Sequence, residues 1–416
     1  MRIALPRQTE YFGGVRIHGM QEVHELDSGS CITDDELNFA HQKICHIPHN
    51  DINEIQKRTA IIIPCKDENP EIIKGVISGI PHDCLAILIS NSKRNNPDAF
   101  KIEHEILSDF CRLLQRNALI VHQQDPGLGI AFSEAGIPEL VGEGGIVRNG
   151  KGEGMLVGIT LAWLADRDFL GFVDADNYVP GTIDEYVKGY AAGFHISKSP
   201  HTLVRIHWRS KPNIDHNRIF FKQWGRASQI TNQFLNLLLS ERSNFGTNII
   251  TTGNSGEHAI STPLALRMRF AGGFAVEPYE YMNLFELFGG LSPSPYPDVM
   301  SQGIEIFQIK TLNPHFHTKR DNNHIQQMRG QALDMLYHSS ICPDSVKEEI
   351  VKFLNEEGLL EGEMPPRQTR IYPALTGLDR EIFLRVLADK SESFEQIERV
   401  ASQAIAVDTQ TVIPTY

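Results

Sequence analysis

Thiol chemistry is thinly supplied in this chain. Of 416 residues only six are cysteine, and Cys31, Cys45, Cys65, Cys84, Cys111 and Cys342 are scattered with no C-x-x-C pair. That spacing supports neither a disulfide framework nor a thiolate zinc site, so reduced thiols and a cytoplasmic protein are expected. Positive charge is also short: 39 Lys and Arg face 52 Asp and Glu, a formal net charge of −13. A general nucleic-acid binder needs a basic face to neutralise phosphates, so that class is excluded. A pocket for a small anion needs only a few local cations or one metal, and that class stays open. Long apolar runs are missing as well. The longest, Met155–Ala165, contains Gly158 and Thr160 and stops at Asp166. It falls short of the ~20 residues of a bilayer span and reads as a buried helix, with no membrane partner. The opening stretch has no apolar h-region and turns polar by Arg7, so no signal peptide is expected and the protein should be soluble. Fixed-period repeats and low-complexity tracts are absent too.

What is present is material for a large core. Hydrophobic residues make up 41% and charged residues 22% of the chain. At ~150 residues per domain, the length fits two or three domains or one large α/β domain with extensions. Residues 1–54 give no clear pattern. From residue 59, short apolar runs at Ala60–Pro64, Leu85–Ser90, Ala118–His122 and Phe169–Val173 read as strands buried on both faces. Helical stretches at Glu71–Ser78, Lys101–Gln115 and Glu153–Ala165 lie between them. Strands alternating with helices imply an α/β fold with a mainly parallel sheet, whose ligands sit at the carboxyl ends of the strands. The alternation fades near residue 200. Beyond Asn322 the chain reads helical through Leu359, passes Pro365 and Pro366, and reads helical again from Asp379 to Ala404. Residues 322–416 are therefore expected to form a helical C-terminal extension, packed on the core or on a neighbouring subunit.

The sharpest local signal is Asp174-Ala175-Asp176, at the end of an apolar run. In an extended segment residues i and i+2 point the same way, so the two carboxylates suit one hard divalent cation that leaves positions for phosphate oxygens. An acidic turn before the helix that follows Pro180-Gly181 is the plainer reading. His315 and His317 share the same spacing, and either could complete a metal shell; spacing does not choose between them. Lys151 sits among glycines just before the Met155 helix, where exposed N–H groups and an ammonium suit a phosphate. The pattern is neither GxGxxG nor GxxxxGK[ST], which weakens dinucleotide and P-loop readings. Arg226 follows Trp224-Gly225 and precedes Ser228 and Thr231; an Arg there could fork onto an acceptor's phosphate or carboxylate, or simply face solvent. Glu257 follows a Gly-rich turn, consistent with acid–base or hydroxyl-positioning work, or with a helix N-terminal acid.

Taken in order, these blocks resemble the mannosyl-3-phosphoglycerate synthases, retaining glycosyltransferases of the GT-A type that make a precursor of the compatible solute mannosylglycerate. The resemblance runs over about residues 1–345. It includes Gln8-Thr9-Glu10-Tyr11-Phe12-Gly13, Glu25-Leu26-Asp27-Ser28-Gly29 and Ser78-Gly79-Ile80-Pro81-His82. It continues through Gly171–Tyr178, Lys222-Gln223-Trp224-Gly225-Arg226, Thr252–Ala259 and Asn313-Pro314-His315-Phe316-His317. The resemblance implies a GT-A domain over residues 1–321, with a nucleotide-sugar half at about 55–200 and an acceptor half at about 201–321.

By the same resemblance, Pro64, Cys65, Lys66, Asp67, Glu68 and Ser90 look like the donor's nucleotide cradle, and Lys151 like the diphosphate contact. Asp174, Ala175 and Asp176 complete the donor site. Asp174, Asp176 and His317 look like the residues of a Mg²⁺ or Mn²⁺ site. Gly225, Arg226, Ala227, Ser228 and Thr231 look like the phosphoglycerate site. Asp174, Asp176, Glu257 and Lys151 would carry the chemistry. The implied reaction moves mannose from GDP-mannose to 3-phosphoglycerate with retention, by front-face attack assisted by the leaving phosphate. A homodimer and a separate phosphatase acting on the product are the expected partners. Two departures blur donor and acceptor preference: Cys65-Lys66 occupies a variable spot, and Ala227 stands where relatives carry Val.

Three rivals remain. Glucosyl transfer to the same acceptor is the sister activity. An aspartyl-phosphate phosphatase shares a D-x-D, but its motif needs Thr or Val where this chain has Tyr178. A nucleotide-sugar-binding regulator with a dead site would not need Lys151, Asp174, Asp176 and His317 together.

Overall fold

The computed structural model describes residues 1–27, 44–177, 179–215, 218–222, 226–316, 322–360 and 366–398. The described residues among 1–54, unreadable in sequence, hold five short strands: β1 (Arg2–Ala4), β2 (Thr9–Phe12), β3 (Val15–His18), β4 (Gln21–Glu25) and β5 (Ile44–His46). Four buried strands follow where the apolar runs lie: β6 (Thr59–Cys65), β7 (Leu85–Ser90), β8 (Ala118–His122) and β9 (Phe169–Phe172). β6 pairs in parallel with both β7 and β9, and β7 with β8. The intervening helices begin at residues suited to the task. Asn69, Asp98 and Asp125 each cap a helix by accepting a backbone N–H, from Glu71, Lys101 and Leu128 respectively. Pro70 and Pro126 sit in the first turn, where a missing N–H costs nothing.

The second half breaks the simple alternation. β10 (Thr202–His207) is followed by the hairpin β11 (Lys211–Asp215) and β12 (Arg218–Lys222), then by β13 (His258–Ser261), β14 (Phe270–Ala271) and β15 (Ile304–Lys310). β13 inserts antiparallel between β9 and β10, while β10 and β15 are parallel. β15 also runs parallel to β3 and β4, which joins the N-terminal strands to the sheet.

Alternate residues of each central strand serve different cores. Ile62, Ile87, Leu119 and Phe172 belong to one cluster; Ile61, Ile63, Leu88 and Ile120 belong to the other. The first face is covered by helix Lys151–Leu164 and helix Val276–Phe288, the second by helices Pro70–Gly79, Ala99–Leu114 and Pro180–Ile196. A two-sided parallel sheet of this kind leaves only strand ends open for chemistry.

The C-terminal segment departs from the all-helical expectation. Helices Asn322–His338, Asp344–Glu356 and Arg380–Lys390 form, but β16 (Ile371–Tyr372) pairs with β14 and β17 (Glu395–Ile397) pairs antiparallel with the outer edge of β8. The expected helix over 379–404 therefore stops at Lys390. Asp125 captures the N–H groups of Glu392 and Ser393 and the Ser393 hydroxyl, at 3.1, 2.9 and 2.6 Å. That diverts the backbone from helical geometry onto an edge whose N–H and C=O groups need partners. Leu333, Ile350, Leu375 and Phe383 share the first central core. No helix among the described residues is long and apolar enough to cross a membrane.

Candidate active site

The carboxyl ends of β6 and β7 form a braced loop. Asn91 N–H donates to the Cys65 carbonyl at 2.8 Å, and Asp67 N–H donates to Ser92 Oγ at 2.6 Å. Lys93 N–H donates to Asp67 Oδ1 at 2.9 Å, holding Asp67 in the left-handed region at φ 54°. Beneath, the buried Glu103 accepts from Ser92 Oγ at 2.5 Å and from the Cys65 thiol at 3.4 Å. Burial, then the charge of Glu103, pushes that thiol well above its usual range, so Cys65 is inert packing under the loop. Ser90 is likewise buried, its hydroxyl accepting from Ser92 N–H at 3.3 Å. Pro64 and Glu68 are half-buried and Lys66 is exposed. Lys66 Nζ and Asn91 Nδ2 both donate to Asn149 Oδ1, at 3.4 and 2.7 Å, which ties this loop to the one leading into Lys151.

Lys151 is the first residue of its helix. Its ammonium lies 2.6 Å from Asp174 Oδ1 and 2.7 Å from Glu277 Oε1. Burial opposes the charge, but the attraction of Asp174 and Glu277 and their hydrogen bonds outweigh it and hold the ammonium above its ordinary range. Asp174 lies two residues past the end of β9, and Ala175-Asp176 form a turn. The two carboxylates are thus presented by a turn rather than by strand alternation. Asp174 and Asp176 stay half-buried, while Ala175 turns its methyl into the core.

Glu257 completes the group. It is wholly buried, and Trp208 Nε1 donates to its Oε2 at 2.9 Å. Burial, followed by the charge of Asp174, raises its carboxyl to about 8, with Lys151 opposing and Asp176 adding to the rise. His315 packs flat on Trp208, with centroids 4.1 Å apart, and its Nδ1 lies 3.6 Å from Glu257 Oε1 and 3.1 Å from the Tyr186 hydroxyl. The turn before Glu257 must come close to the acids: a Cβ on Gly256 would sit 2.5 Å from Asp174 Oδ2. Arg205 fixes that turn from below by donating to the carbonyls of Thr252 and Gly253, and it pairs with Glu280. His258 Nε2 meets the same Glu280 at 2.8 Å, and its Nδ1 lies within reach of the Ser255 and Gly256 carbonyls.

Of the residues expected at the acceptor, helix Arg226–Ser243 carries Ala227, Ser228 and Thr231. Ser228 is half-buried and Ala227 buried. Thr231 is fully buried, its hydroxyl donating back to the Ala227 carbonyl at 3.2 Å. Its methyl packs where a Cβ on Gly253 would fall, so this helix and the Glu257 turn are in contact. Gly225, the Arg226 side chain and His317 lie outside the described residues. Three participants escaped the sequence reading: Glu277, Trp208 and Lys211, whose ammonium sits 5.0 Å above the Trp208 ring. Burial lowers the Lys211 ammonium, against the pull of Glu257, Asp176 and Asp174. A signal existed for Glu277. It and Glu280 are two of three acids in a mostly apolar helix, VEPYEYMNLFELF, where buried charge demands a partner.

Among the described residues, no three His, Cys, Asp or Glu side chains converge as a metal cage. Asp174 and Asp176 offer two oxygen ligands, and the acids that raise Glu257 form a negative field that a hard divalent cation fits. Residues 5–387 match the family described as mannosyl-3-phosphoglycerate synthase (osmo_MPGsynth). The mannosyl-3-phosphoglycerate synthase of Pyrococcus furiosus is 42% identical over 395 residues, covering 94% of this chain and 98% of that protein. The chain belongs to the mannosyl-3-phosphoglycerate synthase family. The Aeropyrum pernix member is 35% identical over 395 residues, covering 95% and 99%. The chain is thus an enzyme of the glycosyltransferase class. Among solved structures, glucosyl-3-phosphoglycerate synthase from Mycobacterium tuberculosis in complex with phosphoglyceric acid aligns with a TM-score of 0.46 and 20% identity, over 72% of this chain and 88% of that one. The same protein with Mn²⁺, UDP-glucose and phosphoglyceric acid gives 0.47 and 20%, over 72% and 87%.

Proposed function

We propose that this enzyme transfers mannose from GDP-mannose to the hydroxyl of 3-phosphoglycerate with retention, giving mannosyl-3-phosphoglycerate and GDP. The observation that carries the reading is the Lys151 ammonium at a helix start, 2.6 Å from Asp174 at the carboxyl end of β9. In a family of mannosyl transfer to phosphoglycerate, that cation supports a role in meeting the leaving diphosphate. The 64–68 loop, braced from beneath by Ser90 and Ser92, then holds the nucleotide, and Asn149 links it to the Lys151 loop. Asp174 and Asp176 would hold a Mg²⁺ or Mn²⁺ ion, which supplies Lewis-acid stabilisation of diphosphate charge.

Glu257 faces this group from the other side, desolvated and gripped by Trp208, and it orients the transferring sugar's hydroxyls. Ser228 and Arg226 at the start of their helix receive the acceptor's phosphate, as helix N-termini and guanidinium groups do. Orientation of acceptor hydroxyl and anomeric carbon on one face supplies much of the rate. A GT-A fold, a homodimer, a cytoplasmic location and a separate phosphatase downstream belong to the same reading.

The test is turnover with GDP-mannose and 3-phosphoglycerate, with and without EDTA, beside GDP-glucose and UDP-glucose. EDTA-sensitive GDP release with a phosphorylated mannosyl product is expected. Activity with a glucose donor alone would move the reading to glucosyl transfer. GDP binding without turnover on any donor would overturn the enzymatic reading in favour of a binding protein.

A further inference from the structure

The C-terminal segment reaches the helix that carries Lys151. β16 pairs antiparallel with β14, with Ile371 opposite Ala271 and Tyr372 opposite Phe270. Gly272 N–H extends the match by donating to the Arg370 carbonyl at 2.9 Å. So fixed, Tyr372 is 1% exposed and its hydroxyl donates to Glu153 Oε1 at 2.7 Å. The other oxygen of Glu153 accepts Gly273 N–H at 3.0 Å.

Glu153 lies in the first turn of the Lys151 helix. Both oxygens of this buried carboxylate are therefore held by structure outside its own helix. One is held by the C-terminal segment. The other is held by the turn just before helix Val276–Phe288, which carries Glu277. The approach is tight enough that a Cβ on Gly152 would run into the Ala271 carbonyl. Burial, then the charge of Glu153, keeps the Tyr372 hydroxyl protonated and a donor.

We propose that Tyr372 is a positioning residue for donor binding. Through Glu153 it fixes the backbone at Lys151, and so the place of the ammonium between Asp174 and Glu277. The inference rests on the reading that Lys151 meets the donor's diphosphate, and it gives residues beyond 366 a part in the active site. Loss of the hydroxyl leaves the ring in its core place but frees one oxygen of a buried carboxylate, which then recruits water or another donor and shifts the helix start.

The experiment compares Tyr372→Phe, Glu153→Gln and their combination in the full chain. It records kcat, both KM values, the melting temperature, GDP affinity by calorimetry, and amide exchange over residues 150–154. Tyr372→Phe is expected to raise the KM for GDP-mannose and the Kd for GDP roughly ten-fold, the scale of one hydrogen bond to a charged group. The KM for 3-phosphoglycerate stays within about two-fold and exchange at 150–154 accelerates. The double variant loses no more than the worse single one, because both act through one contact.

Glu395→Gln loosens a different C-terminal contact, to His104 at 2.6 Å, and leaves both KM values unchanged. Unchanged donor KM and GDP affinity in Tyr372→Phe would overturn the proposal. So would an equal rise of both KM values that tracks a lower melting temperature. Should the wild type turn over no donor, the proposed function fails by itself, and GDP affinity with amide exchange still decides the role of Tyr372.

Discussion

Two charge clusters sit almost side by side along helix Val276–Phe288, and they are built for opposite ends. Glu280 belongs to the closed one. Its side chain, Arg205 and His258 are all wholly buried, and each Glu280 oxygen has a cationic or imidazole partner. Glu277, one turn earlier, belongs to the open one. Its partner Lys151 is 18% exposed and shares its ammonium with Asp174, which is 30% exposed. The closed cluster balances its charge and shapes the 252–256 turn. The open cluster gathers Asp174, Asp176, Glu257 and Glu277 around Lys151, with Lys211 beyond. A scaffold matches its buried acids with cations one for one, whereas a site for a charged ligand can hold acids in excess of its cations.

The largest effect should come from breaking the closed cluster. Arg205→Met strands Glu280 without its guanidinium and strips the Thr252 and Gly253 carbonyls of donors. Urea unfolding should show a loss of about 3–5 kcal/mol, the cost of half a buried ion pair. A loss below about 1 kcal/mol would show that the cluster is not structural. The open cluster should respond differently. Lys151→Met combined with Glu277→Gln removes cation and buried acid together, so stability should hold within about 1 kcal/mol while kcat falls about 10²–10³-fold, as for loss of one preorganised transition-state donor. Loss of stability with unimpaired kcat would reverse the roles assigned to the two clusters.

How much of this contrast was legible beforehand depended on whether the signal was local. β6, β7 and β8 are continuous apolar runs bounded by polar strand ends, so the strands between residues 59 and 122 could be read directly. Lys151 among glycines ahead of an apolar helix was visible for the same reason. β13 was not, because His258–Ser261 becomes a strand only by inserting between β9 and β10. Glu395-Gln396-Ile397 carries no apolar pattern and is a strand because β8 offers a free edge and Asp125 turns the chain toward it. Tyr372 is a single aromatic after a proline-containing link, and its role depends on Glu153, 219 residues away in sequence.

A smaller effect lies outside both clusters, in the acid limb of stability. Burial alone would raise Glu305, but His18, Ser197 and the Lys198 N–H hold its carboxylate down to about 2. The unfolded chain binds that proton at about 4.3, so Glu305 stabilises the fold above that pH and its contribution is lost as pH falls toward 2. His207 adds in the same direction at higher pH. Burial lowers its imidazole to about 4, so stability present above about 6.5 is lost as pH falls toward 4. Glu305→Gln should flatten the unfolding free energy between pH 4 and 2 relative to wild type, and His207→Phe should flatten it between pH 6.5 and 4. Parallel curves for variant and wild type would remove these groups from the account. Neither change should alter the ratio of the two substrate KM values.

The most direct test of the central claim, that the open cluster is where transfer occurs, is the rate of mannosyl-3-phosphoglycerate formation by Asp174→Asn at saturating GDP-mannose and 3-phosphoglycerate. Asn keeps the shape of a half-exposed side chain while removing its charge, so the fold should melt within a few degrees of wild type. The rate should fall at least ~10²-fold below wild type. A rate within two-fold of wild type, from an equally stable protein, would contradict that claim.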